Sequence, residues 1–210
     1  MIMRLLALLV VAGLTGCSVF PTSEPKDLYT IPAASVSLAD ALASDAETAR
    51  ASSLADRSLR VRTPHADRLT ASQRMLVHPG EGQLQAYKDV RWGDTPPRMV
   101  RDYLVRALRS HSEVARVVSD ENRLDVDVEL ETDLARFQVD YVNERPVVRI
   151  QLDAILMDPA SRRIIAGKRL TVSQDVRGKE VPEVVVAFGE AMARLTAELI
   201  NWLDRQNPAH

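Results

Sequence analysis

Between residues 124 and 176 the chain keeps a two-residue hydrophobic rhythm through three successive runs, and no other stretch restricts the fold so strongly. Leu124, Val126, Val128 and Leu130 alternate with Asp125, Asp127 and Glu129. Successive side chains of an extended chain point to opposite faces, so four apolar groups share one side and three carboxylates the other. Phe137 to Tyr141 extends the same run. Val148, Ile150, Leu152, Ala154 and Leu156 alternate in a second, and Asp158-Pro159-Ala160-Ser161 closes a turn. Ile164 to Val176 supplies a third, carrying Ala166, Leu170 and Val172. The pattern predicts an antiparallel meander with one covered face. Evenly spaced on a pleat, with no histidine near in sequence, the three carboxylates read as a water-facing side rather than a metal set.

Two segments have the spacing of the helices such a sheet needs. Pro96 and Pro97 stand where proline is tolerated at a helix start, with Asp94 or Thr95 as cap. Met99, Val100, Tyr103, Leu104, Ala107 and Leu108 then recur at helical spacing, and Arg98, Arg101, Asp102, Arg106 and Arg109 are expected on a solvated face. After Pro182, the residues Val184, Val185, Phe188, Met192, Leu195, Leu199, Trp202 and Leu203 mark a second, longer amphipathic helix, stopped by Pro208. Met192 and Trp202 read as core or groove-edge residues.

Upstream, Leu59-Arg60-Val61-Arg62 suits a half-exposed strand, and Arg74 to His78 another. Pro79-Gly80-Glu81-Gly82 makes a turn, from which Gln83 to Val90 returns as hairpin partner. Leu28 to Pro32 reads as an edge strand ended by Pro32. Residues 33–57 are rich in Ala, Ser and Asp and hold only Val36, Leu38, Leu42 and Leu54 as large apolar groups, which predicts a mobile insertion. The residues alone thus give strands, a meander and two helices, compatible either with an α/β mixed sheet or with a two-layer α+β sandwich.

The amino terminus is of another kind. Arg4 precedes the apolar run Leu5 to Ala12, too short for a permanent membrane span and of signal-peptide length. It ends in Leu14-Thr15-Gly16-Cys17, and Cys17 is the sole cysteine of the 210 residues. Leu14, Thr15 and Gly16 before a lone cysteine resemble the bacterial lipobox. That motif implies a signal peptide over 1–16, cleavage before Cys17, and thioether and amino-terminal acylation of Cys17. More than one acyl chain turns marginal membrane binding into stable anchoring. An Asp after the cysteine resembles an inner-membrane retention signal; Ser18 stands there instead, implying the outer membrane, facing the periplasm. Residues 17–27, with Pro21 and Pro25, read as lipidated cysteine and tether, and 205–210 as a tail.

Removing residues 1–16 takes Arg4 and no acidic group from the 27 basic and 29 acidic side chains, leaving a net charge of −3. Such a body makes no electrostatic case for nucleic acid. Aromatics at 4% argue against base-stacking or carbohydrate platforms. There is no glycine-rich phosphate loop, CxxC pair, metal-spaced histidine pair or G-x-S-x-G elbow. The expectation is a non-enzyme with no metal and no cofactor beyond the lipid on Cys17.

Around Trp92 the segments Arg74-Met75-Leu76-Val77, Leu84-Gln85-Ala86-Tyr87 and Arg91-Trp92-Gly93-Asp94-Thr95-Pro96-Pro97 resemble the ABC-type transport auxiliary lipoproteins. These are partners of MCE-type (mammalian-cell-entry) lipid transporters, and the family includes the paraquat-inducible lipoprotein. The resemblance covers residues 28–204 apart from the longer 33–57 segment. It implies a mixed-sheet α/β domain similar to the anticodon-binding-domain fold, with Tyr87, Trp92, Asp94, Pro96 and Pro97 as the shared motif. Trp92 reads either as a core cap where hairpin meets helix, the favoured reading, or as part of a docking surface with Tyr87.

The function implied is that of a periplasmic accessory component docking an MCE-domain subunit, with its ABC permease and ATPase, to the outer membrane. A homo-oligomer is compatible with it. Three alternatives remain: a lipid-binding shuttle with an apolar groove between helices and sheet, an outer-membrane assembly lipoprotein serving a barrel protein, and an envelope hydrolase with a perturbed acid or nucleophile.

Overall fold

The computed structural model describes residues 27–32, 54, 56–80, 82–110 and 116–206. The signal peptide, Cys17, Ser18 and the tether before Asp27, nearly all of 33–57, His111, and the last four residues with Pro208 lie outside the described residues.

Strand β6 (Val128–Val142) organises everything else. At 15 residues it is about 50 Å long, long enough to serve different neighbours at its two ends. Along one edge it pairs antiparallel with β7 (Arg145–Asp158), which pairs antiparallel with β8 (Arg163–Asp175). The predicted meander is therefore present, its first hairpin closed by Asn143 and Glu144, both left-handed (φ 49° and 62°). The opposite edge is divided. Its amino-terminal part pairs in parallel with β2 (Ser58–Val61), which carries β5 (Arg116–Ser119). Its carboxy-terminal part pairs in parallel with β3 (Arg74–Gly80), followed outward by β4 (Gln83–Trp92) and β1 (Asp27–Tyr29). The sheet is a mixed one of eight strands, which with its two helices gives the α/β class expected.

Each strand of the meander turns one set of side chains inward. On β7, Val148, Ile150, Leu152, Ala154 and Leu156 are buried while Arg149, Gln151 and Asp153 alternate with them. On β6 the inward set is Val128, Leu130, Thr132 and Leu134, then Phe137 and Val139. A bulge between Leu134 and Arg136, holding Ala135 as the extra residue, absorbs the change of phase. Helix α1 (Pro96–Ser110) and helix α2 (Val181–Asp204) share one continuous core with these residues, so both cover the same face. Gly189 is where α2 meets the chain leaving β1: a Cβ there would lie 2.8 Å from Cγ of Pro32. This close approach explains a helix-interior glycine, otherwise costing about 1 kcal/mol against alanine.

Several expectations need correction. The strand read from Leu124 begins only at Val128, and Leu124 is 57% exposed. Side chains take the place of the ladder there. The Asp127 carboxylate accepts from the Ser58 backbone N–H (2.7 Å) and hydroxyl (2.6 Å), and Arg60 donates to the Leu124 carbonyl. Asp125 and Asp127 do face water, but Glu129 is buried, because Arg60 on the neighbouring strand pairs with it. The first strand stops at Tyr29, before Pro32, and Ile31 beyond it is buried. Leu54, assigned to the insertion, is fully buried among the core residues. Strand β5 carried no alternation long enough to reveal it and was not anticipated. Finally Arg101, expected on the solvated face of α1, is 4% exposed.

Candidate functional site

The motif residues converge where hairpin, first helix and core meet. Trp92 ends β4 fully buried, its ring centroid 5.5 Å from that of Phe137 on β6 and 5.0 Å from that of Phe188 on α2, edge-on to the latter. Phe137 and Phe188 lie 4.6 Å apart. Such pairs add about 0.5–1.5 kcal/mol each beyond the area they bury. The Trp92 backbone N–H donates to the Gln73 carbonyl (2.8 Å), and Gly93 donates to the Tyr29 carbonyl (2.7 Å), joining β1 to the same corner. Asp94 accepts from the Thr95 N–H (2.7 Å) and lies 3.4 Å from Arg98 one turn later. Pro96 and Pro97 are buried at the helix entry. The core-cap reading of Trp92 is the one this geometry fits, since a ring with no exposed surface has nothing to offer a partner.

Tyr87 sits in an irregular part of β4. Between paired positions β3 has only Met75 where β4 has Tyr87 to Val90, and Asp89 takes a left-handed conformation (φ 56°) to accommodate the excess. The Tyr87 phenol is raised well above its ordinary pKa by burial and by the adjacent Tyr141.

A second cluster, absent from the sequence reading, surrounds Arg101. Its guanidinium donates to Asp120 (3.0 Å), Glu121 (2.9 Å), Asp102 (2.8 Å) and the Thr63 hydroxyl (3.1 Å). Burial opposes ionisation of Asp120, but hydrogen bonds from Thr63 and the ion pair with Arg101 outweigh it and hold the carboxyl below the usual range. The arrangement pins α1 to the end of β2 and to the turn after β5. A signal existed: Arg101 follows Pro97 by four and precedes Leu104 by three, which is the buried spacing.

Among the described residues no three His, Cys, Asp or Glu side chains gather as a metal site. Nor is any helix there long and apolar enough to cross a membrane.

What the surface offers lies on the uncovered face of the sheet and at its two ends. Across the face the charges are matched, with Arg62 beside Glu129 and Glu131, Arg169 on Asp153 (2.6 Å), and Arg149 on Asp140 (3.0 Å). At the end near the β7–β8 turn this matching gives way to Ile164 (67% exposed), Ile155 (40%) and the half-buried Met157, with Arg163 beside them. At the opposite end the β6–β7 turn stands between two recesses. One, of about 710 Å³, is lined by Val142, Arg145, Asp175 and Lys179 among others; the second, of about 520 Å³, by Pro79, Tyr141, Asn143 and Glu144.

The comparisons with known proteins fit this architecture. The protein XCC0632 of Xanthomonas campestris has a crystal structure similar to this chain with a TM-score of 0.65 at 30% identity, covering 70% of this chain and 84% of that one. A second crystal structure, of an uncharacterised protein, superposes with a TM-score of 0.64 at 16% identity over 86% of this chain and 99% of the other, a likeness of fold. Protein bll6063 of Bradyrhizobium diazoefficiens is 28% identical over 145 residues, 69% of this chain, although that region spans only 39% of the relative's own length. Residues 40–200 match the sequence family described as the ABC-type transport auxiliary lipoprotein component, a family of transport accessories and not a known family of enzymes. The chain belongs to the ABC-type transport auxiliary lipoprotein family.

Proposed function

We propose that this protein is a non-catalytic adaptor, held by acyl chains on Cys17 to the periplasmic side of the outer membrane, where it docks the MCE-domain subunit of an ABC-type lipid transporter. The observation that carries the reading is the family match over residues 40–200, downstream of Leu14-Thr15-Gly16-Cys17. Leu14, Thr15 and Gly16 direct cleavage, and Ser18 permits export to the outer membrane. ATPase and permease are separate chains of the same assembly.

Burial of Trp92, Pro96 and Pro97 favours docking by other surface residues over docking by these three. Ile155 and Ile164 are the exposed apolar pair best suited to the centre of such a contact, with Arg163 at its rim. A specific interface of this kind buries about 1,200–2,000 Å² in total. The shuttle alternative asks for an apolar cavity between helices and sheet, and Trp92, Phe137, Phe188 and Leu152 occupy that space.

The test is affinity purification of the full-length lipoprotein from detergent-solubilised envelopes. MCE-domain and ABC subunits are expected with the native chain and are expected to be lost with Ile164→Asp, whose folding is checked by circular dichroism. Recovery of a barrel protein instead, or of no transporter subunit under conditions that preserve such complexes, overturns the reading.

A further inference from the structure

One end of the sheet gathers three chain reversals: the β3–β4 tip at Gly80–Gln83, the β6–β7 turn at Asn143–Glu144, and the segment Val176–Glu180 between β8 and α2. This follows from register, since β3 runs parallel to β6 with His78 beside Asp140, and β8 ends opposite the start of β7. Leu84 (40% exposed), Tyr141 (36%) and Val142 (41%) are exposed beside these reversals. The larger recess there sets Arg145 and Lys179 against Glu144 and Asp175, so it carries cations and anions side by side.

Strand direction adds an independent constraint. β1 pairs in parallel with the last residues of β4, Asp27 beside Val90 and Tyr29 beside Trp92, and β4 runs away from the three reversals. The amino-terminal end of β1 therefore points toward the side on which the reversals stand. Ten residue steps separate Cys17 from Asp27, at most about 35 Å of extended chain.

We infer that this end, centred on Val142 and Tyr141, is the membrane-facing surface of the protein, and that it rests on zwitterionic phospholipid headgroups. The inference rests on the Cys17 anchor proposed above. Mixed charges suit the occupant: Arg145 and Lys179 face the phosphate, Glu144 and Asp175 the ammonium of a phosphatidylethanolamine headgroup. Val142, Tyr141 and Leu84 meet the glycerol level, where amphipathic aromatic rings are favoured. The Ile155–Ile164 end is then turned away from the bilayer, toward the partner.

The test uses the full-length lipidated chain in vesicles of phosphatidylethanolamine and phosphatidylglycerol. Acylation leaves no thiol on Cys17, so Val142→Cys, Leu84→Cys and Ile164→Cys each give one labelling position for an environment-sensitive fluorophore. Probes at 142 and 84 are expected to be quenched several-fold more by headgroup-nitroxide lipid than the probe at 164, and to lose most of their quenching by aqueous iodide. Equal quenching at both ends, or stronger quenching at 164, overturns the inference. So does shielding at 142 that persists in detergent micelles and rises with protein concentration, which marks a second copy as the occupant. Failure to float with vesicles, with no acyl mass on Cys17, removes the anchor itself. Flotation through an acylated Cys17 with a water-exposed probe at 142 removes only the orientation.

Discussion

The two edges of β6 are held by different physics. On one, β7 and β8 add long antiparallel ladders whose inward residues pack against α2, and the stabilising groups are almost all apolar. On the other, the amino-terminal part of β6 receives the four-residue β2 and a single bridge at His65, and this short ladder is supplemented by Asp127 on Ser58, Arg60 on Glu129 and Arg101 on Asp120. A ladder spreads its stability along many residues, whereas a corner tied by side chains concentrates it in a few charges. The first should resist pH and salt, and the second should feel both.

The largest effect should come from the apolar side. Phe137→Ala empties the middle of the Trp92–Phe137–Phe188 cluster and is expected to cost about 3–5 kcal/mol, read as a lowered midpoint in urea. The cost should be independent of ionic strength; a strong salt dependence breaks the contrast. Arg101→Met comes next at about 2 kcal/mol, since it deprives the partly buried Asp120 of its cation while Asp102 and Glu121 keep access to water. Amide exchange should quicken in β2 and β5 and stay unchanged in β7; uniform acceleration would show that the corner is not a separate unit.

Acid gives the third and smallest effect. Asp120 is held low by Thr63 and Arg101 against its burial, and Asp127 by the Ser58 hydroxyl and N–H. A carboxylate with a folded pKa below its unfolded value contributes its full stability above about pH 4, and loses it as pH falls through the folded value. The native chain should therefore lose stability on the acid side, and Asp120→Asn should flatten that limb while lowering the plateau at pH 7. Thermal melts from pH 6 to pH 3 measure it, and an unchanged slope would remove Asp120 from the account.

The same contrast explains what could be read from the sequence. The meander was legible because alternation is a local pattern, and β7 keeps it without a break from Val148 to Leu156. Both helices announced themselves by spacing and by prolines at their starts. The β2–β5 corner was not legible, because the bonds across it join residues 19 to 69 positions apart, as Arg101 with Asp120, Thr63 with Asp120 and Ser58 with Asp127. Glu129 looked like a surface carboxylate for the same reason: only the fold brings Arg60 beside it. Of the motif, Trp92 lies at the junction of hairpin and helix, fully buried. Ile155 falls out of phase with Val148 to Leu156 and so reads as outward, whereas Ile164 is in phase with Ala166, Leu170 and Val172 and is turned outward only by the bulge at Ile165.

Ala135 is the spare link in β6. Interior strands ordinarily forbid gain or loss of a residue, since every later side chain would swap water for core. Here the surplus is already housed, so a shortened homologue lacking this alanine would keep Phe137 beneath the helices and differ only in a straighter ribbon. Length variation among relatives is therefore tolerable at the heart of this domain, as well as in its loops.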